Sequence, residues 1–287
     1  MSQETAHLNN THAKLGLPQR YLPNIGLVVD NVTLPSGLVV SIRETNGEDD
    51  EILSNYARLT DGSAGNEYTA RIIHSGPNGK KMTIEEVESL KIRDRQFIMF
   101  VSRIISLGEI FEFRLECPSP KCTKLREQGL TKDIPWEEDL IKYFVDMGNK
   151  DNPVNKLAKS SSVITPYING NTKLVEISLD EHKFRFKAYT GKSEVRESQE
   201  DQSTYENKLN LNTILYMREM EYLKDGNWVT PSTFQAFPSR IMARLRNEVL
   251  KLDDLWKPIT TVKCPTCGTV HQQVLLQIKD FLFPEEI

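Results

Sequence analysis

Apolar positions follow two rhythms along this chain, alternation and helical spacing, and the order in which they come outlines a fold. Val32-Thr33-Leu34 and Leu38 to Arg43 flank Pro35-Ser36-Gly37. β-Branched runs on either side of such a turn predict a hairpin over 32–43. From Glu48 to Leu59, Ile52, Tyr56 and Leu59 share one side behind an acidic first turn, which predicts a helix. Asp61 to Lys81 is rich in Gly, Asn and Ser and reads as a loop. Thr83 and Glu86 form a capping box at the start of one long helix, expected to run to about Leu107. Ile84, Val87, Leu90, Phe97, Ile98, Val101, Ile104 and Ile105 mark its buried face, and Gly108 ends it. A strand from Ile110 to Glu116 follows. Ile134-Pro135-Trp136 then introduces a short helix over Glu137–Val145, and Gly148 to Ser162 reads as a polar loop or linker.

The alternation returns at Leu174–Leu179 and Lys183–Lys187, around Asp180-Glu181-His182, as a second hairpin. Thr190-Gly191-Lys192-Ser193-Glu194 then echoes Asn46-Gly47-Glu48-Asp49-Asp50. A helical region is expected over Glu194–Leu223. Another helix opens at Pro238-Ser239-Arg240 with Ile241, Leu245, Val249, Leu252 and Trp256 on one face. Val262, and then Val274, Leu276 and Ile278, read as two short strands around a turn. The expected class is therefore α+β, with the order hairpin, helix, loop, long helix, strand occurring twice. Residues 1–31 would be an extended N-terminal arm, 32–122 a first half, 123–171 a connecting segment and 172–287 a second half. In the arm, Pro18 and Pro23 interrupt Leu15, Leu17, Tyr21, Leu22 and Ile25, which show no helical period. Such a stretch suits a disordered tail, or a segment lying extended on a partner through Leu15 to Ile25.

Composition narrows the function more than the fold. A formal charge of −4 argues against a protein that coats nucleic acid non-specifically, and 38% hydrophobic residues suffice for a core. No apolar run reaches the roughly 18 residues that a membrane span requires. Met1 to Asn10 has neither a basic nor an apolar leader region, so a cytosolic chain is expected. Catalytic signals are few. Gly191-Lys192-Ser193 lacks the upstream glycine of a phosphate loop, Phe186 standing in its place, and reads as a turn. No Gly-x-Ser-x-Gly or His-Glu-x-x-His occurs. Asp94, between Arg93 and Arg95, has no histidine or second acid at helical spacing and reads as a structural ion pair. No catalytic residue is assigned.

The cysteines are another matter. Cys264-Pro265-Thr266-Cys267-Gly268 is written like a metal knuckle. Pro265 pre-sets the turn, Gly268 lets the chain swing back, and thiolates at this spacing grip one tetrahedral ion from two sides. Cys117 and Cys122, in Cys-Pro-Ser-Pro-Lys-Cys, form the other pair, again after a strand and again with proline behind the first cysteine. The chain has four cysteines in all, so none is left over. Together Cys117, Cys122, Cys264 and Cys267 make the metal-ligand set expected for a structural Zn2+. The gap between pairs far exceeds the roughly 15–20 residues of a compact zinc ribbon, so the site would be a zinc-ribbon-like clasp shared by the two halves. Disulfides within the pairs, or turns that hold no metal, are the competing readings. His271 is a further candidate ligand, but four cysteines already complete a closed site, and it reads as a polar strand residue.

Several short motifs, taken in order, bear a resemblance. Leu-Pro-Ser-Gly at 34–37 with Ile42-Arg43, the Asp94-Arg95 pair in a long helix and Gly108-x-x-Phe111 come first. Cys-Pro after the next strand, the late Cys-Pro-x-Cys-Gly and Phe281-Leu282-Phe283-Pro284 complete the series. The chain resembles the T4-type baseplate hub assembly proteins of tailed phages over roughly 32–122 and 172–284. That resemblance implies a non-enzymatic role with other baseplate, hub or tail proteins as partners. It implies a place in the host cytoplasm during assembly, or in the virion's tail baseplate. The alternative is a zinc-ribbon nucleic-acid-binding protein, since Arg240, Arg244, Arg246 and Lys251 lie on or near one helix. Glu248, Asp253 and Asp254 interrupt that basic face, and no aromatic residues are interleaved for base stacking.

Overall fold

Tertiary structure comes from a computed structural model, which describes residues 15–55, 57–58, 62–130, 133–148, 175–187, 189–199, 219–231, 237–252 and 258–275. Strands β1 (Gln19–Leu22), β2 (Gly26–Thr33), β3 (Val39–Arg43) and β4 (Ile73–Ser75) form an antiparallel sheet in that order. The expected hairpin is β2–β3, with Val32 opposite Val40 and Thr33 opposite Val39. Its first strand, however, starts at Gly26, and β1 folds back on it. The arm expected over 1–31 is thus corrected for residues 19–31, which belong to the sheet; residues 1–14 lie outside the described residues. The reason is burial: Val28 and Val29 are buried, and Val29 packs in the main core together with Leu15 and Leu17. Of the arm's large side chains Tyr21 stays mostly in solvent, 74% exposed.

Over this sheet lie α1 (Gly47–Ser54), α2 (Ala64–Ile72), α3 (Ile84–Glu88) and α4 (Ile92–Leu107). Asn46 and Asp49 cap α1 reciprocally. The loop expected over 61–81 contains α2 and β4 instead. Ala64, Tyr68 and Ile72 recur every four residues and are buried, a helical face that the surrounding Gly and Asn had masked. The single long helix expected from Thr83 is also corrected, because it breaks between α3 and α4. The Thr83–Glu86 capping box holds, but Lys91 turns extended and pairs with Thr190 in an antiparallel bridge. Ile92 then donates its N–H to the Tyr189 carbonyl at 3.2 Å. Gly108 ends α4 at φ +91°, a conformation that costs glycine no steric clash. Phe97, Ile98, Phe100, Val101, Ile104 and Ile105 of α4 fill the main core with Ile42, Tyr68 and Phe111.

Next comes β5 (Ile110–Leu115), then α5 (Pro120–Glu127), β6 (Ile134–Asp139) and α6 (Ile141–Gly148). A helix over 137–145 was expected, yet residues to Asp139 are strand and the helix starts at Ile141. Ile134 and Glu138 are buried while Pro135, Glu137 and Asp139 face solvent, and β6 pairs with β5 along its whole length. The segment assigned as connector from 123 is therefore part of the first unit at least to Gly148. The remainder of that connector, 149–171, lies outside the described residues.

The second sheet runs β10 (Asn227–Val229), β9 (Glu221–Lys224), β8 (His182–Phe186), β7 (Val175–Leu179). The predicted hairpin is β7–β8, turning at Asp180. α7 (Gly191–Gln199) follows, and the helical region expected to Leu223 gives way to β9, where Tyr222 and Glu221 pair with Phe184 and Arg185. Residues 200–218 are outside the description. α8 (Ser239–Leu252) lays Ile241, Leu245 and Val249 on Leu179, Phe184 and Phe186. β11 (Ile259–Lys263) and β12 (Val270–Val274) form a last two-stranded ribbon. Leu276, Ile278 and Trp256, placed in elements by their pattern, lie outside the described residues. The fold is mixed α+β with several small antiparallel sheets. Its two ends are joined where Arg95 of α4 pairs with Glu194 and the Asn66 amide donates to the Gly191 carbonyl at 3.4 Å.

Candidate metal centre

Two ribbons, β5–β6 and β11–β12, each carry one cysteine pair at an end. After Leu115 the chain reaches Cys117, and then Ser119 caps α5 with Pro120 as its first residue. The Ser119 hydroxyl accepts the Cys122 N–H at 3.3 Å. The first turn of α5 therefore swings Cys122 back towards Cys117. This accounts for the four-residue spacing: Ser119-Pro120 is a helix start, and the pair is a helix-closed one rather than a tight knuckle. The second pair is the knuckle its sequence describes. Cys264 donates its N–H to the Thr269 carbonyl at 2.8 Å, Gly268 donates to the Cys264 carbonyl at 2.9 Å, and Gly268 adopts φ +75°.

Folding brings the four cysteines together. Their sulfurs all lie within 4.8 Å of one another, with Cys117 to Cys267 at 3.6 Å and Cys122 to Cys264 at 3.7 Å. Four sulfurs each ~2.3 Å from a central ion would stand about 3.8 Å apart in a regular tetrahedron. Both of these contacts run between the pairs, and all four residues are free thiols, which sets aside disulfides within the pairs. Sulfurs this close have room for a single ion between them and none for a cluster, whose bridging sulfides would hold them farther apart. Ile134, Val262, Leu115 and Trp136 pack around Cys117, Cys122 and Cys264 and keep water from them.

Each sulfur has its own electrostatic surroundings. Ser119 Oγ donates to Cys267 at 3.4 Å, and the Thr269 hydroxyl stands 3.2 Å away. Ser119 first, then the Thr269 hydroxyl and amide, hold the Cys267 thiol down to about 5. Burial opposes ionisation of Cys264, but the Cys267 and Thr266 amides outweigh it and its pKa is lowered. At Cys122 the Ser119 hydroxyl favours the thiolate, yet burial and the neighbouring sulfurs prevail and push it up to about 11. Such opposed shifts are what mutual repulsion among clustered sulfurs produces, and a dication at the centre reverses that repulsion. His271, on β12 opposite Val262, places Nε2 3.3 Å from Cys117 Sγ.

A second contact between the ribbons escaped the sequence. Glu138 of β6 is buried and accepts from the Thr260 hydroxyl of β11, from Lys142 and from Trp136 Nε1 at 3.0 Å. The Tyr143 hydroxyl adds a bond to the Ile259 carbonyl at 3.1 Å. The signal was the alternation through Ile134, Trp136 and Glu138, which puts the acid on the inner face of a strand.

Other candidate groups have structural places. Asp94 is buried and accepts the Ser36 N–H at 2.9 Å, tying the first hairpin turn to α4. Burial raises its pKa against the pull of Ser36, Lys91 and Arg93. Asp94 was expected to pair with an arginine; the bond the structure gives it is to the Ser36 backbone, with Arg93 acting on it through charge. Gly191-Lys192-Ser193 is the first turn of α7 rather than a free turn, with Ser193 Oγ accepting the Thr190 N–H at 3.3 Å. Among the described residues the four cysteines are the one group of His, Cys, Asp or Glu side chains set to hold a metal. None of the described helices is long and apolar enough to cross a membrane. No family model, no curated protein and no solved structure matches this chain.

Proposed function

We propose that Cys117, Cys122, Cys264 and Cys267 hold one structural zinc ion, and that the chain is a non-enzymatic phage tail protein. It would act in the assembly or structure of the baseplate hub, in the host cytoplasm during assembly and then in the tail. The observation that carries the metal reading is the meeting of two cysteine pairs from distant parts of the chain at tetrahedral spacing. Four thiolates close the coordination shell, so the ion would shape the fold and not act on a substrate. The tail reading rests on the ordered motifs. Their residues sit at junctions of this fold: Ser36 bonds Asp94, Arg95 pairs with Glu194, Gly108 ends α4, and Phe111 lies in the core.

The two halves are, on this proposal, related copies. Before Cys117 come a hairpin, a helix from Gly47, a strand returning to the hairpin, the long α4 and a strand, with α2 and α3 added; β7–β8, α7, β9, α8 and β11, with β10 added, precede Cys264. The match is limited to three strands of each sheet, β2–β3–β4 and β7–β8–β9, since β1 joins beside β2 whereas β10 joins beside β9. Partner contact from the Leu15–Ile25 stretch would fall on Tyr21, Ile25 and the outer edge of β1, Leu15 and Leu17 being used in the core. The nucleic-acid alternative loses part of its basic face, because Arg240 and Arg244 pair with Asp180 at 3.0 and 2.8 Å.

Elemental analysis of protein purified without chelator should find one zinc per chain, and iron or no metal would overturn the zinc assignment. Deleting the gene from a phage that carries it should block tail formation while heads and DNA synthesis stay normal. Normal tails would remove the baseplate reading, and salt-sensitive DNA binding by the pure protein would restore the alternative.

A further inference from the structure

We infer that His271 is a positioning residue of the metal centre, donating its Nε2–H to the Cys117 thiolate from outside the coordination shell. This deepens the four-sulfur reading and rests on it. Nε2 lies 3.3 Å from Cys117 Sγ, while the ligand atoms that gather within 4.8 Å of one another are the four sulfurs. The imidazole therefore stands behind one sulfur instead of completing the tetrahedron. A metal-bound thiolate has no proton to give, so Nε2 must carry the hydrogen, which sets the ring's tautomer. Register puts the ring there. His271 is directly opposite Val262, paired residues of an antiparallel ribbon share a face, and Val262 packs among the cysteines.

The chemistry requires donors of this kind. Four thiolates around a dication leave net negative charge in a buried place, and charge without hydrogen bonds is costly there. At Cys264 the donors are backbone amides of the knuckle, and at Cys267 they are Ser119 and Thr269. Cys117 belongs to the helix-closed pair, and its donor comes across from the other ribbon. His271 thereby links the two pairs outside the ion itself. It also explains why a polar residue occupies the strand position facing a buried valine.

The test uses the full chain, stripped of metal under anaerobic conditions and titrated with Co2+, then with competing Zn2+. Wild-type protein should give the tetrahedral spectrum of four thiolates. His271→Ala should keep that four-sulfur pattern, move the sulfur-to-cobalt charge-transfer band to lower energy, and weaken zinc binding about 10–100-fold. His271→Gln, which retains an N–H donor, should return the band towards its wild-type position and recover most of the affinity. Should the alanine variant fail to fold, His271→Leu keeps a side chain on the strand and is read in the same way. An unmoved band with unchanged affinity makes His271 a bystander and overturns the inference while leaving the four-sulfur site intact. A wild-type spectrum of three sulfurs and one nitrogen makes it a ligand, which also overturns it. A wild type that takes up no cobalt removes the four-sulfur reading, and the inference with it.

Discussion

Asp49 is 0% exposed and carries more of the first unit than its place in a helix suggests. It accepts two bonds from Arg43 at 2.8 and 2.7 Å, one from Arg71 at 3.1 Å and the Asn46 N–H at 2.9 Å. Removing it would leave Arg43 buried without its counter-charge while also removing the Asp49 half of the α1 capping box. Asp49→Ala should therefore cost about 3–5 kcal/mol in urea denaturation, with an unchanged dependence on urea; a loss below about 1 kcal/mol would mean water replaces the carboxylate. Cys267 gives a second residue-scale expectation. It is the cysteine of the four that is not fully buried, and its thiol is held down to about 5. A depressed pKa means the thiolate's contribution to stability is complete above the ordinary thiol value and is lost as pH falls through about 5. In metal-free protein Cys267 should be the first cysteine alkylated by iodoacetamide, at a rate nearly flat from pH 8 to about pH 6 and falling below pH 5. Peptide mapping that found Cys122 modified first would contradict this, and bound zinc should suppress the reaction.

Two helices begin at glycine, and their surroundings separate them. At Gly191 an added Cβ would lie 2.2 Å from Asn66 Oδ1, 3.0 Å from Glu88 Cα and 3.1 Å from Arg95 Nη1. At Gly47 it would meet nothing within 4 Å. Gly191 is where the start of α7 docks against the α3–α4 break, through the Lys91–Thr190 bridge and the Arg95–Glu194 pair. Gly191→Ala should lower stability by about 1–3 kcal/mol, because the Glu88 backbone cannot yield as a flexible side chain would. Gly47→Ala should be neutral or stabilise by up to about 1 kcal/mol. Thermal unfolding of the two variants side by side decides it, and equal shifts would show that the docking surface yields.

Across the molecule, the four-cysteine cluster closes a loop between sequence positions that no local element connects. The ribbon β11–β12 has two strands, and such a hairpin is marginal in isolation. What holds it is packing around the cysteines, the Thr260–Glu138 bond and, on our proposal, the ion. The first sheet with α4 has a large core, which the ribbon enters through Leu275 alone among its described buried residues. Chelation should therefore raise amide hydrogen exchange at 259–263, 270–274 and 117–127 while leaving 28–33 and 98–105 protected. Uniform loss of protection would mean that the ion holds the whole fold, and no change would mean that it holds none of it.

The sequence by itself determined what short-range chemistry specifies. Alternation with a turn marked the hairpins at 32–43 and 174–187, Thr83 with Glu86 marked a helix start, Gly108 marked a helix end, and proline-bearing pairs marked the four cysteines. These features are legible because their interacting groups lie within a few residues of each other. Tertiary structure decided the rest. A helical face at Ala64, Tyr68 and Ile72 prevails over neighbouring glycine and asparagine once a core is there to receive it. Lys91 leaves the helix because Thr190 offers a strand partner, and Glu138 is strand because β5 supplies the pairing. The apolar stretch before Asn31 folds onto its own sheet because burying Leu15, Val28 and Val29 there is favourable without any partner. Cys117 and Cys267 are 150 residues apart in sequence, and only the packing of two ribbons brings their sulfurs to 3.6 Å.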